Sequence, residues 1–250
     1  MKRALVMMLL LVSCIAVAQE DPIPPKRSKA AKIGGLFGYT PGWLFLDVAP
    51  INNFLLAAKG AAFKDQGMYM NGIGGAAFIM FVPNLRVGGL GMNGTLTSTS
   101  LVAGVRRDAE LAVSFGGVTI EYVIPIAERL DFTVGAMLGG GGLEVTLRQH
   151  DGSALTWNQE WGNYETGNYN LNGKISNITR KFDGSFYVYV PSLNLEYGIL
   201  GWVGVRLGVS YVGMFSPTWR VDGNYDLLGV PDNIHGKGFM VNAGLFVGTF

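Results

Sequence analysis

The last residues of the chain, KGFMVNAGLFVGTF at positions 237–250, have the pattern of a single β-strand. One face consists of every second residue and is apolar throughout: Phe239, Val241, Ala243, Leu245 and Val247. The other face carries Asn242, Gly244 and Gly248 together with two phenylalanines. Because alternate residues of a strand point to opposite sides, such a strand separates an apolar environment from a polar one. About 9–11 residues of this kind are enough to cross a membrane as part of a closed barrel.

The composition of the whole chain favours the same class of protein. The sequence has 250 residues, of which 49% are hydrophobic and 15% are charged, whereas soluble domains usually carry about 25% charged residues. Its 37 glycines are about twice the usual share of roughly 7%. Outside the N-terminus no apolar run reaches the roughly 18 residues that a membrane-spanning helix requires. These properties favour strands, because a barrel dilutes its hydrophobicity by alternation.

Eight segments have strand character, and the connections between them alternate in length. The segments are 35–47, 70–82, 85–99, 110–124, 130–148, 185–199, 202–215 and 237–250. Residues 83–84, 125–129 and 200–201 form short turns, and residues 48–69, 100–109, 149–184 and 216–236 form longer loops. Short turns on one rim and long loops on the other are typical of outer-membrane barrels. An even number of strands also places both termini on the short-turn rim.

On these features the chain resembles the small bacterial outer-membrane β-barrel proteins, whose last strand commonly ends in Phe, as this chain does at Phe250. The resemblance is one of architecture. It implies an all-β, closed, antiparallel, up-and-down transmembrane barrel of about eight strands, with ten as the alternative. It also implies that Phe250 acts as a C-terminal signal for the outer-membrane assembly machinery, and that the barrel is surrounded by outer-membrane lipid.

The N-terminus has the pattern of an export signal. Lys2 and Arg3 precede a short apolar core, and a small-x-small site predicts cleavage after Ala18. The alternative is a lipoprotein lipidated at Cys14. We therefore expect a signal peptide at 1–18, a flexible periplasmic lead-in at 19–32, a barrel at 33–250, and location in the bacterial outer membrane. Signal removal leaves 17 basic and 18 acidic side chains and no cysteine, which argues against nucleic acid as a partner.

Charged residues within the strands predict a polar lumen. An eight-stranded barrel is only wide enough to be filled by side chains, and buried charges need partners. The predicted lumen charge network consists of Arg86, Glu121, Asp131, Glu144, Arg148, Glu196 and Arg206. Glu196 and Arg206 would form a cross-strand pair if the turn at 200–201 brings them opposite each other.

Two further patterns concern the barrel wall. In strands 110–124 and 130–148 the apolar face changes phase at Gly116-Gly117 and at residues 139–142. This change predicts β-bulges that face each other across the turn at 125–129. Aromatic residues near strand ends are typical of the membrane interfaces. The predicted interface aromatics are Tyr39, Trp43, Tyr122, Tyr197, Trp202 and Tyr211.

The loops on the long-loop rim hold the remaining candidates for function. Residues 53–65 have helix-forming character, with Asn53 as a possible cap, and predict a short lid or surface helix. The loop at 149–184 is too long to be structureless, so we expect part of it to extend the neighbouring strands. Its candidates for binding glycans or proteins are Trp157, Trp161, Tyr164 and Tyr169.

Signals for catalysis are weak. The two histidines, His150 and His235, lie in different loops, and His150 neighbours Asp151 and Ser153 without forming a recognisable motif. No cofactor or metal site is predicted. The main hypothesis is a barrel with a packed lumen and a structural or surface-binding role through its external loops. The alternatives are a narrow channel or transporter of a small apolar ligand, lidded by residues 53–65, and a lipid-modifying enzyme that uses a histidine.

Overall fold

The computed structural model describes residues 34–152, 154, 156–158, 161, 165 and 177–248, so the segments predicted at 1–18 and 19–32 lie outside it, as does Phe250. The strands are β1 Gly35–Tyr39, β2 Gly42–Leu46, β3 Met68–Phe78, β4 Leu85–Val102, β5 Val105–Ala127, β6 Leu130–His150, β7 Ile178–Gly198, β8 Val203–Val221, β9 Tyr225–Asp226 and β10 Gly238–Gly248. One helix, α1, spans Ala49–Ala57. No helix in the described ranges has the length and apolar character needed to cross a membrane.

The sheet closes into a ring of eight antiparallel strands, which confirms the predicted fold class. β3 to β8 pair in sequence order, β8 pairs with β10, and β10 pairs with both β1 and β2. β1 and β2 form one interrupted strand, since both also pair with β3. Short β9 pairs only with the end of β8. Nine of the ten strand segments therefore make an eight-membered wall without a free edge.

Pro41 explains the interruption between β1 and β2. Proline lacks the N–H that a ladder position needs, and the ladder is maintained around it by neighbouring groups. The Thr40 amide donates to the carbonyl of Gly72 at 2.8 Å, and the Ala243 amide donates to the carbonyl of Pro41 at 3.0 Å. The break therefore does not open the wall.

Both ends of the described barrel lie on one rim, here called the lower rim, with the turns at 79–84, 128–129 and 199–202. On the opposite, upper rim the strands run further than predicted. β4 and β5 meet in the two-residue turn Ala103–Gly104, where both residues have positive φ, so the predicted long loop at 100–109 was wrong. β6 and β7 extend to His150 and Ile178, in agreement with the expected extension of the 149–184 loop.

The predicted β-bulges were wrong, although the glycines do face each other. Gly116 pairs with Gly140 and Gly117 with Gly139, and the ladder is continuous there; the shift in this pair lies between Pro125 and Ala127. On β5 the odd-numbered residues face inward along the strand. The inward and outward faces of the strand therefore stay the same at the glycines. What changes there is the polarity of the residues on each face.

This change divides the barrel wall into two sections. Near the lower rim β5 faces inward with polar Thr119 and Glu121 and outward with apolar Val118, Ile120, Tyr122 and Ile124. Near the upper rim the arrangement is inverted, and the inward residues are the buried, apolar Leu111, Val113 and Phe115. β6 inverts in the same way. We call the outward apolar residues of the lower section the belt.

Helix α1 closes part of the upper rim. It begins at Ala49, four residues before Asn53, so the predicted Asn53 cap was wrong; Val48 holds the N-cap position, and Asp47 Oδ1 accepts from the Ala49 amide at 3.0 Å. Pro50 fits the first turn, where its missing N–H has no helical acceptor in any case. Ile51 and Leu55 are buried against the apolar upper interior.

Candidate functional site: the lumen and the upper rim

Four charged side chains from four strands meet in the lower lumen. Arg86 on β4 and Arg206 on β8 alternate with Glu121 on β5 and Glu196 on β7, and all four are nearly inaccessible to solvent. The register pairs Glu196 directly with Arg206. We call these four residues the lumen charge cluster. Its formal charge is zero, so each charge is compensated where water is excluded.

The geometry of the cluster is dense. Arg86 donates to Glu196 at 2.6 and 2.9 Å and to Glu121 at 2.9 Å. Arg206 lies 2.5 Å from Glu196 and 3.0 Å from Glu121. The Thr133 hydroxyl donates to Glu196 at 3.1 Å. Charge-assisted bonds of this kind are stronger than neutral ones, so the cluster ties β4, β5, β7 and β8 together.

Aromatic rings complete the plug of the lumen. The Arg206 guanidinium lies 4.5 Å from the centroid of Phe246, and Arg86 lies 5.5 Å from that of Phe78. The cavity above the cluster has a volume of only about 40 Å³, which holds no more than a few water molecules. The described lumen is thus a packed interior rather than a pore.

The structure separates the seven predicted lumen residues into two groups. Asp131 is buried beside Glu196 in the register and lies with the cluster. Glu144 and Arg148 do not, and their assignment to the lumen was wrong. They face outward on the upper part of β6, where Glu144 contacts Lys181 at 2.9 Å and Arg148 contacts Glu110 at 3.5 Å. The inversion of polarity misled the prediction, because outward positions are polar there.

Outward aromatic residues lie on the belt and at its margins. Tyr39, Trp43, Tyr122 and Trp202 are each more than two-fifths exposed. Tyr211 packs edge-on against Phe239 at 5.2 Å, and Tyr39 hydrogen-bonds Tyr69 at 2.7 Å. The remaining predicted residue, Tyr197, is partly exposed on the outward face of β7. Their role at a membrane interface remains a prediction.

Two crevices separate α1 from the wall at the upper rim. The first, called the apolar crevice, has a volume of about 430 Å³. Its lining is apolar and comes from α1, from the upper ends of β6 to β8 and from the segment before β10; it includes Leu55, Leu147, Phe182, Trp219, Leu228 and Ile234. This volume lies within the roughly 300–1,000 Å³ of small-molecule sites.

The second crevice, called the basic crevice, adjoins the first and has a volume of about 210 Å³. The two share Leu55, Ala58, Leu147 and Phe182. The other residues of the basic crevice include three arginines and one aspartate: Arg107, Asp108, Arg148 and Arg180. The upper rim thus joins an apolar volume to a positively charged one.

Most charges at the basic crevice already have partners. Arg180 contacts Asp222 at 3.1 Å, and Arg148 contacts Glu110. The Thr99 hydroxyl donates to Asp108 at 2.6 Å, and this bond, followed by that from Arg106, holds the pKa of the Asp108 carboxyl below its usual value. Lys181 lies outside the crevice, where hydrogen bonds to Glu144 and then Asp183 raise the pKa of its ammonium group.

Arg107 is the exception. Its side chain points inward from β5, and Nε donates to Gln149 Oε1 at 3.3 Å. Its Nη1 is buried without a hydrogen-bond partner, and no carboxylate pairs with Arg107 among the residues that the structure describes. Sequence reasoning missed Arg107, because nothing in the pattern shows that the interior is apolar around it.

The candidates for catalysis are not brought together in the described part. His150 Nδ1 accepts from the Gly152 amide at 2.8 Å, Ser153 lies outside the described residues, and His235 Nδ1 is buried. Within the described ranges, no group of three or more His, Cys, Asp or Glu residues could hold a metal ion. Trp157 and Trp161 pack edge-on at 5.6 Å, while Tyr164 and Tyr169 lie outside the described residues.

Comparison with known proteins finds distant likeness in structure. No protein-family model and no curated protein matches the chain. Ail, the attachment invasion locus protein of Yersinia pestis, solved in complex with the heparin analogue sucrose octasulfate, is 11% identical; the match covers 87% of this chain and 99% of Ail, with a TM-score of 0.35.

Two further solved structures are similar at the same level. A major outer membrane protein from Thermus thermophilus is 9% identical, with coverage of 86% and 98% and a TM-score of 0.43. The outer membrane protease OmpT from Escherichia coli is 11% identical, with coverage of 93% and 100% and a TM-score of 0.22. Both are outer-membrane proteins, and a likeness at these TM-scores carries no conclusion about the role of this chain.

Proposed function

We propose that this chain is an outer-membrane β-barrel with a closed lumen, whose working surface is its upper rim. The observation that carries the proposal is the two-section wall. β5, β6 and β7 have 23, 21 and 21 residues, about twice the roughly 9–11 that span a membrane. The belt of the lower section suits lipid, and the polar exterior of the upper section suits water.

In this arrangement the upper section stands above the membrane as a rigid support. Its interior is an apolar core like that of a soluble protein, with Leu111, Val113 and Leu143 almost fully buried. The loops on the upper rim, including the segment with Trp157 and Trp161, are presented outside the cell. Glycans or proteins are the proposed partners of these loops, and the assembly machinery would recognise the end of the chain at Phe250.

A channel is the competing function, and the filled lumen argues against it. The lumen charge cluster crosses the lower section from β4 and β5 to β7 and β8. Opening a path would leave several buried charges unpaired, at a cost of several kcal/mol each. The proposed role is therefore structural and surface-binding, without passage of solute.

Solute flux tests this function. We expect vesicles that contain the refolded chain to swell in an isosmotic solution of a small sugar no faster than protein-free vesicles. A general porin in the same lipid provides the positive control. Steady swelling, or a reproducible conductance step in a planar bilayer, would show that the lumen opens. The proposal of a closed barrel would then be wrong, and the channel would be the better description of its function.

A further inference from the structure

We infer that the two joined crevices of the upper rim form a binding site for a single-chain anionic amphiphile, specifically a saturated fatty acid such as dodecanoate. Its acyl chain would lie in the apolar crevice beside α1, and its carboxylate would bind Arg107 in the basic crevice. The inference deepens the proposed role of the upper rim. It does not involve the lumen, so a failed binding test would leave the flux result unaffected.

The apolar crevice provides the place for the chain. It is lined on one side by Leu55 of α1 and on the other by Leu147, Phe182 and Trp219 of the barrel wall. Leu228, nine-tenths exposed at the mouth of this crevice, would also gain burial from a bound chain. Each methylene group transferred from water to such a surface strengthens binding about fourfold.

The charge pattern selects the head group. The other charged residues at the basic crevice each have a partner of opposite charge. These pairs are Arg148 with Glu110 at 3.5 Å, Arg180 with Asp222 at 3.1 Å and Asp108 with Arg106 at 2.9 Å. Among the arginines that line the basic crevice, Arg107 alone has no carboxylate partner in the part of the chain that the structure describes, and its buried Nη1 lacks an acceptor. A carboxylate carries one charge and fits the guanidinium fork with two parallel hydrogen bonds. A phosphate monoester carries nearly two charges at neutral pH and would leave one uncompensated.

Ala58 joins the two parts of the site. It lines both crevices and lies at the exposed C-terminal end of α1. The Ser98 and Ser100 hydroxyls donate to the carbonyls of Ala61 and Lys59, so the chain after the helix is fastened to β4. The wall of the site is therefore held in place before a ligand arrives, which lowers the cost of ordering on binding.

The test is equilibrium binding of radiolabelled dodecanoate to the full chain in lipid nanodiscs, with empty nanodiscs measuring partition into the bilayer. We expect one saturable site above that background. Arg107→Gln should weaken it at least tenfold, since a hydrogen bond to a charged group is lost, and decanoate should bind roughly fifteenfold more weakly than dodecanoate. Ala58→Phe, at an exposed position, should block the junction and abolish binding without unfolding the barrel.

Arg220→Gln is the matched control, because Arg220 lies on the upper rim and is well exposed, but lines neither crevice. Its binding should equal that of the unaltered chain. Gel mobility without boiling verifies that each variant is folded. The inference is overturned if no saturable site exists, or if Arg107→Gln binds dodecanoate as tightly as Arg220→Gln. It is also overturned if binding arises only after deletion of residues 154–176, because the chain's own loop would then be the occupant of the site.

Discussion

The lumen charge cluster shows why single residues matter in a narrow barrel. Arg86 is only 2% exposed and contacts both Glu121 and Glu196. Arg148, by contrast, has an exposed side chain and one contact at 3.5 Å. Two arginines of the same barrel thus have opposite energetic roles. The buried one compensates charges that water cannot reach, and the exposed one forms a surface pair of little value.

We expect Arg86→Met to lower the free energy of unfolding by about 3–5 kcal/mol, because it leaves a surplus of buried negative charge. The same change at the exposed position, Arg148→Met, should alter it by less than about 1 kcal/mol. Urea unfolding of the barrel in lipid vesicles measures both. Equal effects of the two substitutions would mean that the cluster does not hold the lower lumen together.

The facing glycines of β5 and β6 determine how closely these two strands approach. A Cβ built on Gly139 would collide with the backbone carbonyl of Gly116, whereas one on Gly140 would have only an ordinary contact, 3.6 Å from the carbonyl oxygen of Phe186. Gly139 faces inward and Gly140 outward. The run of glycines therefore has a steric function on one face only, and it allows close packing without a bulge.

For this pair we predict that Gly139→Ala destabilises the barrel by about 1–3 kcal/mol, as expected for overpacking. Gly140→Ala should be neutral or slightly stabilising, since alanine reduces the freedom of the unfolded chain. The measurement is the temperature at which the compact gel band of each variant disappears. A larger effect at Gly140 would show that the inward and outward faces have been assigned the wrong way round.

The molecule as a whole has two sections with opposite polarity. Ala136 faces outward in the belt, beside Ile120 and Pro191 in the register. Ala112 also faces outward, but lies in the upper section beside Thr95 and Glu144. In the proposed arrangement the same residue type would meet two different solvents, because the strands exceed the length that spans a membrane.

An arginine introduced at each alanine locates the boundary between the sections. Ala136→Arg should cost about 2–4 kcal/mol, as a cation on the lipid face near mid-membrane does. Ala112→Arg should cost no more than about 1 kcal/mol, helped by the proximity of Glu144. Reversible unfolding in phospholipid vesicles measures the difference. A severe loss at Ala112 would place that residue in lipid or in the core, and the two-section wall would have to be abandoned.

Much of the architecture could be read from local alternation. The period of two in residues 185–215 and 237–250 correctly predicts three strands, their outward faces and the opposition of Glu196 to Arg206. Alternation is a property of neighbouring residues and therefore survives in the sequence. The solvent on each face is not local, which is why Glu144 and Arg148 were wrongly assigned to the lumen.

Sequence alone was sufficient for the antiparallel order and the closed ring, because hydrophobic periodicity and turn spacing are encoded along the chain. It predicted about eight strands and left ten as the alternative, which the closed ring of eight decided. Only the three-dimensional arrangement showed that the wall changes its polarity at the facing glycines without a bulge, that β4 and β5 continue to a two-residue turn, and that Arg107 borders the basic crevice beside α1. Those properties depend on contacts between residues far apart in the chain, and the same alternation is compatible with either environment on either face.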